Sequence, residues 1–260
     1  MPDPQTTPRG TTPPGARTEE EASRLVREMF GRIAPRYDLL NHVLSLQLDR
    51  VWRWRATRRL RGILVRPDAR VLDLCCGTGD LALALARAGE AHIFGADFAH
   101  RMLVRAREKA AGVPAARQPG APPALEFLEA DALRLPFPDA SFDLVTSAFG
   151  FRNLANYHGG LREIFRVLKP GGTLAILDFT EPRSGFFGAL YRWYFRCVLP
   201  RLGGIISGDR PAYSYLPASV ARFFLPEELA GLMQQAGYVE TRFEAWTGAT
   251  VALHLGKRPR

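Results

Sequence analysis

The chain has 260 residues, 47% of them apolar, enough to bury one good core with a small helical annex. Its net charge of +9 comes almost wholly from arginine, lysine occurring only at 109, 169 and 257, so charge by itself does not name a nucleic-acid partner. No apolar run reaches the roughly 18–20 residues of a bilayer span, and cysteines 75, 76 and 197 form no C-x-x-C pair. A soluble protein of the reduced cytoplasm, without a zinc site or disulfide framework, is the expectation.

Residues 1–18, rich in Pro and Thr without a basic start or apolar centre, read as a disordered tail and not as a signal peptide. A helical cap is expected over 19–66. Apolar positions recur at helical spacing over 19–34 (Leu25, Val26, Met29, Phe30, Ile33) and again over about 49–62. Pro35 interrupts, and a short segment, RYDLLNHVLSL, bridges the two helices. The second helix carries Arg50, Arg53, Arg55, Arg58, Arg59 and Arg61. Such a cluster is either a solvated helix face or an attractor of anionic lipid or nucleic acid.

From Arg70 onward strands and helices alternate, the pattern of a parallel α/β sheet. Strands are expected at 70–75, 91–97, 125–130, 142–148 and 172–180, with helices at about 78–88, 99–112 and 157–168. Pro and Gly make 112–123 a surface loop. Residues 184–207 are aromatic and apolar, punctuated by Arg192, Arg196 and Arg201. They begin an insertion (184–224) within a main domain of 67–260. Pro226 and Gly237 then bound a helix, and the last two strands, joined by a Gly-containing turn, form an antiparallel hairpin.

The chemistry concentrates between Val71 and Phe98. A buried strand runs into Gly77-Thr78-Gly79, a helix follows, and a second strand ends in Asp97. Glycines let the backbone approach a ligand, and a carboxylate about 20 residues on suits ribose hydroxyls. The turn also satisfies G-x-G-x-x-A, so a nicotinamide cofactor is not excluded by it. Asp73, just ahead of the turn, is placed to meet a cationic amino-acid tail, and Asp131, at the third strand end, an adenine amino group. Each alone has a bland reading as a loop-capping carboxylate; their succession at strand ends favours the ligand role. Asp143, at a strand start, reads as structural.

As an ensemble, residues 68–180 resemble the class I S-adenosylmethionine (AdoMet)-dependent methyltransferases. The flanks narrow the resemblance. FGRIAPRYDLLNHVLSLQLDRVWR, TSAFGFRNL and YSYLPASVARFFLPEELAGLMQQAGY are similar to signatures of the quinone-biosynthesis C-methyltransferase family. The resemblance implies a Rossmann-like, mostly parallel seven-stranded sheet with a C-terminal antiparallel hairpin and an N-terminal helical cap. It implies AdoMet on Asp73, Gly77, Thr78, Gly79, Asp97, Phe98, Asp131 and Ala132, with Tyr37, Arg152 and Asn153 on the substrate. The implied reaction is C-methylation of demethylmenaquinol to menaquinol. A ubiquinone-pathway benzoquinol or, in another class, an RNA are the alternatives.

One departure stands out: where the family commonly carries Ser two residues before the Gly of F-G-x-R-N, this chain has Ala148. Arg152 is always charged and suits a developing phenolate, while Asn153 suits the other ring oxygen. No general base is evident. His42, among apolar neighbours, reads as structural, and Tyr37 and Asp38 as a lid. An isoprenoid hydroquinone substrate makes a peripheral membrane surface the expected partner, at the inner face of the cell membrane, with no nucleic acid and with a homo-oligomer open. Residues 184–207 then form a substrate groove, a membrane contact or a dimer interface.

Overall fold

A computed structural model describes residues 10–112, 124–182, 193, 194, 197 and 210–260. The expected loop at 112–123, apart from Gly112, and most of the aromatic stretch 184–207 therefore lie outside the described residues.

The elements begin with three helices, α1 (Glu19–Ile33), α2 (Tyr37–Leu44) and α3 (Leu48–Leu64). Then come β1 (Arg70–Leu74), α4 (Asp80–Ala88), β2 (His92–Asp97), α5 (His100–Ala110), β3 (Leu125–Glu129) and β4 (Phe142–Ala148). The chain continues with α6 (Tyr157–Val167), β5 (Leu168–Phe179), α7 (Arg210–Arg222), α8 (Pro226–Gln235), β6 (Val239–Trp246) and β7 (Val251–Lys257). They form one seven-stranded sheet in the order β3-β2-β1-β4-β5-β7-β6. β1 to β5 pair in parallel, and β7 runs antiparallel between β5 and β6. The order reverses between β1 and its neighbours β2 and β4, which opens a crevice at the carboxyl ends of those strands.

Three local details differ from the sequence reading. The bridge after Pro35 is itself helical: a 3-10 turn at Ala34–Arg36 leads into α2, whose face bearing Tyr37 is turned to the crevice. Strand β5 starts at Leu168, before the Gly171-Gly172 turn, because Leu168 already pairs with Phe142. The part of the supposed disordered tail from Gly10 on packs against the body. Thr11 is buried, donates its N–H to the Leu154 carbonyl at 2.8 Å and shares a hydrogen bond with the Tyr215 hydroxyl at 2.6 Å. Gly10 permits this approach, since a Cβ there would sit 2.1 Å from the Leu154 oxygen. Composition missed it because the partner atoms lie more than 140 residues away along the chain.

Two apolar layers sandwich the sheet. On one side, α6 and α8 bury Leu161, Ile164, Leu229 and Met233 against Leu72, Leu174 and Ile176. On the other, Trp52, Ala56, Leu60 and Leu64 of α3 join Leu81 and Leu85 of α4 and Val71, Ile93 and Leu144 of the strands. The four-residue spacing of Trp52, Ala56, Leu60 and Leu64 on α3 thus builds core. Trp52 also donates its indole N–H to Thr247 Oγ1 at 2.8 Å. No described helix is long and apolar enough to cross a membrane. Trp52→Ala is expected to lower stability by about 3–5 kcal/mol within a single unfolding transition. Urea denaturation followed by fluorescence and circular dichroism checks this; two separate transitions would show the cap to be its own domain.

Candidate active site

A cavity of about 910 Å³, counting its mouth, lies over the carboxyl ends of β1, β2 and β4. Tyr37, Asp73, Gly77, Thr78, Asp97, Phe98, Asp131, Ala132 and Asn153 line it. Gly79 and Arg152, also singled out from the sequence, do not.

Asp73 is the most telling of these. It is buried; one oxygen accepts from the Thr146 hydroxyl at 2.8 Å, and the other has no hydrogen-bond partner. Burial pushes its pKa up to about 7, against which the Thr146 hydrogen bond works only in part. A buried, half-satisfied carboxylate facing a cavity is a receptor for a cation or a strong donor.

Asp97 accepts the Gly77 N–H and the Ala99 N–H, each at 2.8 Å, which draws the glycine loop onto the end of β2. Burial lifts its pKa to about 6. Each of its oxygens retains a lone pair for a hydroxyl donor. Asp131 accepts the Leu133 N–H at 2.9 Å and bridges to Arg134, so it caps its own turn while facing the cavity. Gly77 has φ +55°, and a Cβ there would meet nothing nearer than Tyr37 at 3.8 Å. Gly79, at φ +81°, caps α4 and packs under Phe127, where a Cβ would come within 2.9 Å of the ring. Its part is to shape the loop from behind.

Arg152 lies behind the cavity wall. It is buried, its guanidinium donates to Asp178 at 2.7 Å and to the Phe149 carbonyl, and its Nε has no partner. Asp178 accepts the Arg152 N–H at 3.1 Å as well. The buried carboxylate claims the cation, which therefore braces the 149–153 turn. Asn153 remains at the cavity wall. Its Oδ1 accepts the Tyr215 hydroxyl at 3.0 Å and its Nδ2 reaches the Phe149 carbonyl at 3.4 Å, leaving one amide hydrogen uncommitted by these bonds. Ala148 faces the cavity, whereas the buried Ser147 hydroxyl has no partner, so Ser147 does not stand in for the missing family serine. Asp143 is structural as read, accepting from Arg66, the Arg70 N–H and Lys169.

The sequence reading missed a polar clamp. Lys109 of α5 donates to Asp38 of α2 at 2.8 Å, to the Thr78 hydroxyl at 3.2 Å, and to Asp80. Thr78 donates in turn to Asp38. One ammonium thus holds the lid helix to the glycine loop. Beyond it, Arg53 pairs with Asp49 at 2.5 Å and Asp80 at 3.5 Å, and His42 Nδ1 lies 2.9 Å from Asp49. His42, Asp49 and Asp80 have ligand spacing for a metal, but Arg53 already supplies the positive charge among them. Nothing in the spacing of 38, 80 and 109 signals these contacts, because three separate helices bring them together.

The model of the ubiE/COQ5 methyltransferase family matches residues 17–258. The chain belongs to the ubiE/COQ5 methyltransferase family. It is 49% identical over 241 residues to the demethylmenaquinone methyltransferase of Deinococcus radiodurans, covering 92% of this chain and 95% of that one. It is 51% identical over 232 residues to the demethylmenaquinone methyltransferase of Thermus thermophilus, covering 89% of this chain and 100% of that one. Among solved structures, it superposes on a SAM-dependent methyltransferase of Thermotoga maritima, a possible histamine N-methyltransferase, with TM-score 0.61 and 20% identity. That match covers 90% of this chain and 99% of the other, and establishes the class I methyltransferase fold.

Two outcomes follow for this family member. Below about pH 4 the Asp73 carboxyl is neutral in both folded and unfolded chains. Between about 4 and 7 the unfolded chain gives up the proton and the folded one keeps it, so stability falls as pH rises. At 1.36 kcal/mol per unit this approaches about 4 kcal/mol, and Asp73→Asn removes that contribution while the smaller one of Asp97 remains. Thermal melts of both proteins from pH 4 to 8, without ligand, check this. Separately, Arg152→Ala leaves Asp178 a buried unpaired charge and is expected to lower stability by about 3–5 kcal/mol; an unchanged urea midpoint would refute the bracing role.

Proposed function

We propose that the protein methylates a ring carbon of demethylmenaquinol to give menaquinol, with AdoMet as methyl donor. The observation that carries this reading is the roughly half identity to two demethylmenaquinone methyltransferases over nearly their whole lengths. The cavity supports it by its donor set. When bound, AdoMet supplies an activated methyl group on a sulfonium, which leaves as a thioether once the methyl is transferred.

Each residue role follows from its surroundings. The unpartnered oxygen of Asp73 takes the cationic amino end of the cofactor. The backbone of Gly77 and Thr78 passes alongside it, Asp97 takes the ribose hydroxyls, and Asp131 with Ala132 faces the adenine, next to Phe98. Tyr37, brought over the cavity by α2, closes the site beside the ring to be methylated. The substrate is the hydroquinone, since only an electron-rich ring carbon attacks a sulfonium methyl. The ring then loses its proton and regains aromaticity. A phenol with pKa near 10 is largely neutral at pH 7, so phenolate character has to be favoured by the site. Asn153 gives its remaining amide hydrogen to a ring oxygen, and the charge of Arg152 acts from behind the wall through the turn it braces.

Menaquinol carries a long isoprenoid tail, so we include contact with a bilayer surface in this reading. Purified protein is expected to convert reduced demethylmenaquinone to menaquinone's quinol with AdoMet, detected by mass spectrometry. Turnover of a benzoquinol or of RNA in its place would overturn the assignment. Asn153→Ala should keep AdoMet affinity in calorimetry while turnover drops about 10²-fold or more; equal loss of both would move Asn153 to the cofactor.

A further inference from the structure

The outer side of α2 and α3 carries an unusual surface. Of the nine large apolar side chains exposed in the described residues, Leu39, Val43, Leu46, Val51 and Trp54 fall within one short stretch. Leu46 is 75% exposed, at the turn between the two helices, where Leu46 and Gln47 both take left-handed backbone conformations. On α3, Val51, Trp54, Arg58 and Arg61 follow at 3- and 4-residue intervals opposite the buried Trp52, Ala56 and Leu60. The helix is therefore two-faced: one stripe belongs to the core, the other alternates apolar and cationic side chains in solvent.

The charges converge as well. Arg50, Trp54, Arg58 and Arg61 line one groove together with Arg87 of α4 and Lys109 of α5. The Arg58 guanidinium stacks over Trp54 at 4.9 Å. Arg58, Arg61 and Arg87 form no ion pair with any described carboxylate. Exposed aliphatic side chains beside a ring-stacked arginine and a basic groove match the chemistry of a headgroup region, apolar below and phosphate above.

We infer that this α2–α3 face docks the protein on an anionic phospholipid bilayer. The inference rests on the reading that the substrate is a lipid-tailed hydroquinone and names the surface through which it is reached. Nucleic acid would use the arginines but leave Leu39, Val43, Leu46 and Val51 without a partner. A second copy placed face to face would set arginine against arginine in a chain of net charge +9. A phospholipid surface satisfies both sets of side chains. The position also suits the chemistry: α2 presents Tyr37 to the cavity on one face and Leu39 and Val43 outward on the other. Asp38, Arg53 and Asp80 belong to the walls of both the cavity and the groove or to the clamp between them. The groove and the cavity share Arg53 and Asp80 as wall residues, so a tail held in the bilayer lies beside the site.

The test uses the full chain and vesicles of phosphatidylcholine, alone or mixed with phosphatidylglycerol, in a sedimentation assay. The wild type is expected to sediment with the anionic vesicles and to be released by salt. Leu46→Ser with Trp54→Ser, and separately Arg58→Glu with Arg61→Glu, should each cut binding by roughly tenfold or more. Both variants should keep AdoMet affinity and turnover of a short-tailed quinol in solution, and lose turnover of the long-tailed quinol in vesicles. Wild-type protein that ignores anionic vesicles, or variants that bind them as the wild type does, would overturn the proposal. So would a variant whose only change is its mass in light scattering, marking a copy interface, or its retention of RNA. Absence of turnover on the short-tailed quinol by the wild type would sink the reaction instead, whatever the vesicles report.

Discussion

A carboxylate buried with one oxygen unsatisfied organises this protein. Asp73 sits at the end of a strand that is covered on both faces, where an ion is costly and a hydrogen-bonded ion less so. The sheet supplies Thr146 for one oxygen, and the other is buried without a hydrogen-bond partner. Burial thereby raises the pKa of that carboxyl to about 7. Ionising Asp73 therefore costs stability as pH rises toward 7.

The same economy appears one strand further along. Arg152 and Asp178 satisfy each other inside the protein, and their pairing holds the turn that presents Asn153. Tyr215, reached from α7, and Thr11, from the N-terminal segment, complete the chain of hydroxyls behind that amide. Arg152 thus lies behind the cavity wall as a brace, while its half-buried neighbour Asn153 lines the cavity. The difference is one of burial: a guanidinium facing a cavity would need water or ligand, whereas Asp178 offers a permanent partner.

Lid and loop are joined by charge instead of by apolar packing. Lys109 gathers Asp38, Asp80 and Thr78 from three elements, and Arg53 extends the network to α3. A clamp of this kind is strong where it is partly shielded and yields where water enters. It stands between the cavity and the basic groove, so the outer face of α2 and the chemistry on its inner face share one hinge of charged contacts.

The local sequence was enough for the alternation of strands and helices, the glycine turn, the strand-end carboxylates and the C-terminal hairpin, since each rests on near neighbours: apolar period, φ preference, turn chemistry. The family signatures around Tyr37, Arg152 and Asn153 were legible for the same reason. Helix α2 was missed because Pro35 masks it and its partner contacts lie in α3 and α5. The packing of Thr11, the capture of Arg152 by Asp178, the role of Gly79 beneath Phe127 and the Lys109 clamp were decided only by tertiary structure. In each case atoms distant in sequence compete for one buried polar group. Which of them wins depends on distance and desolvation, and neither is written in local pattern.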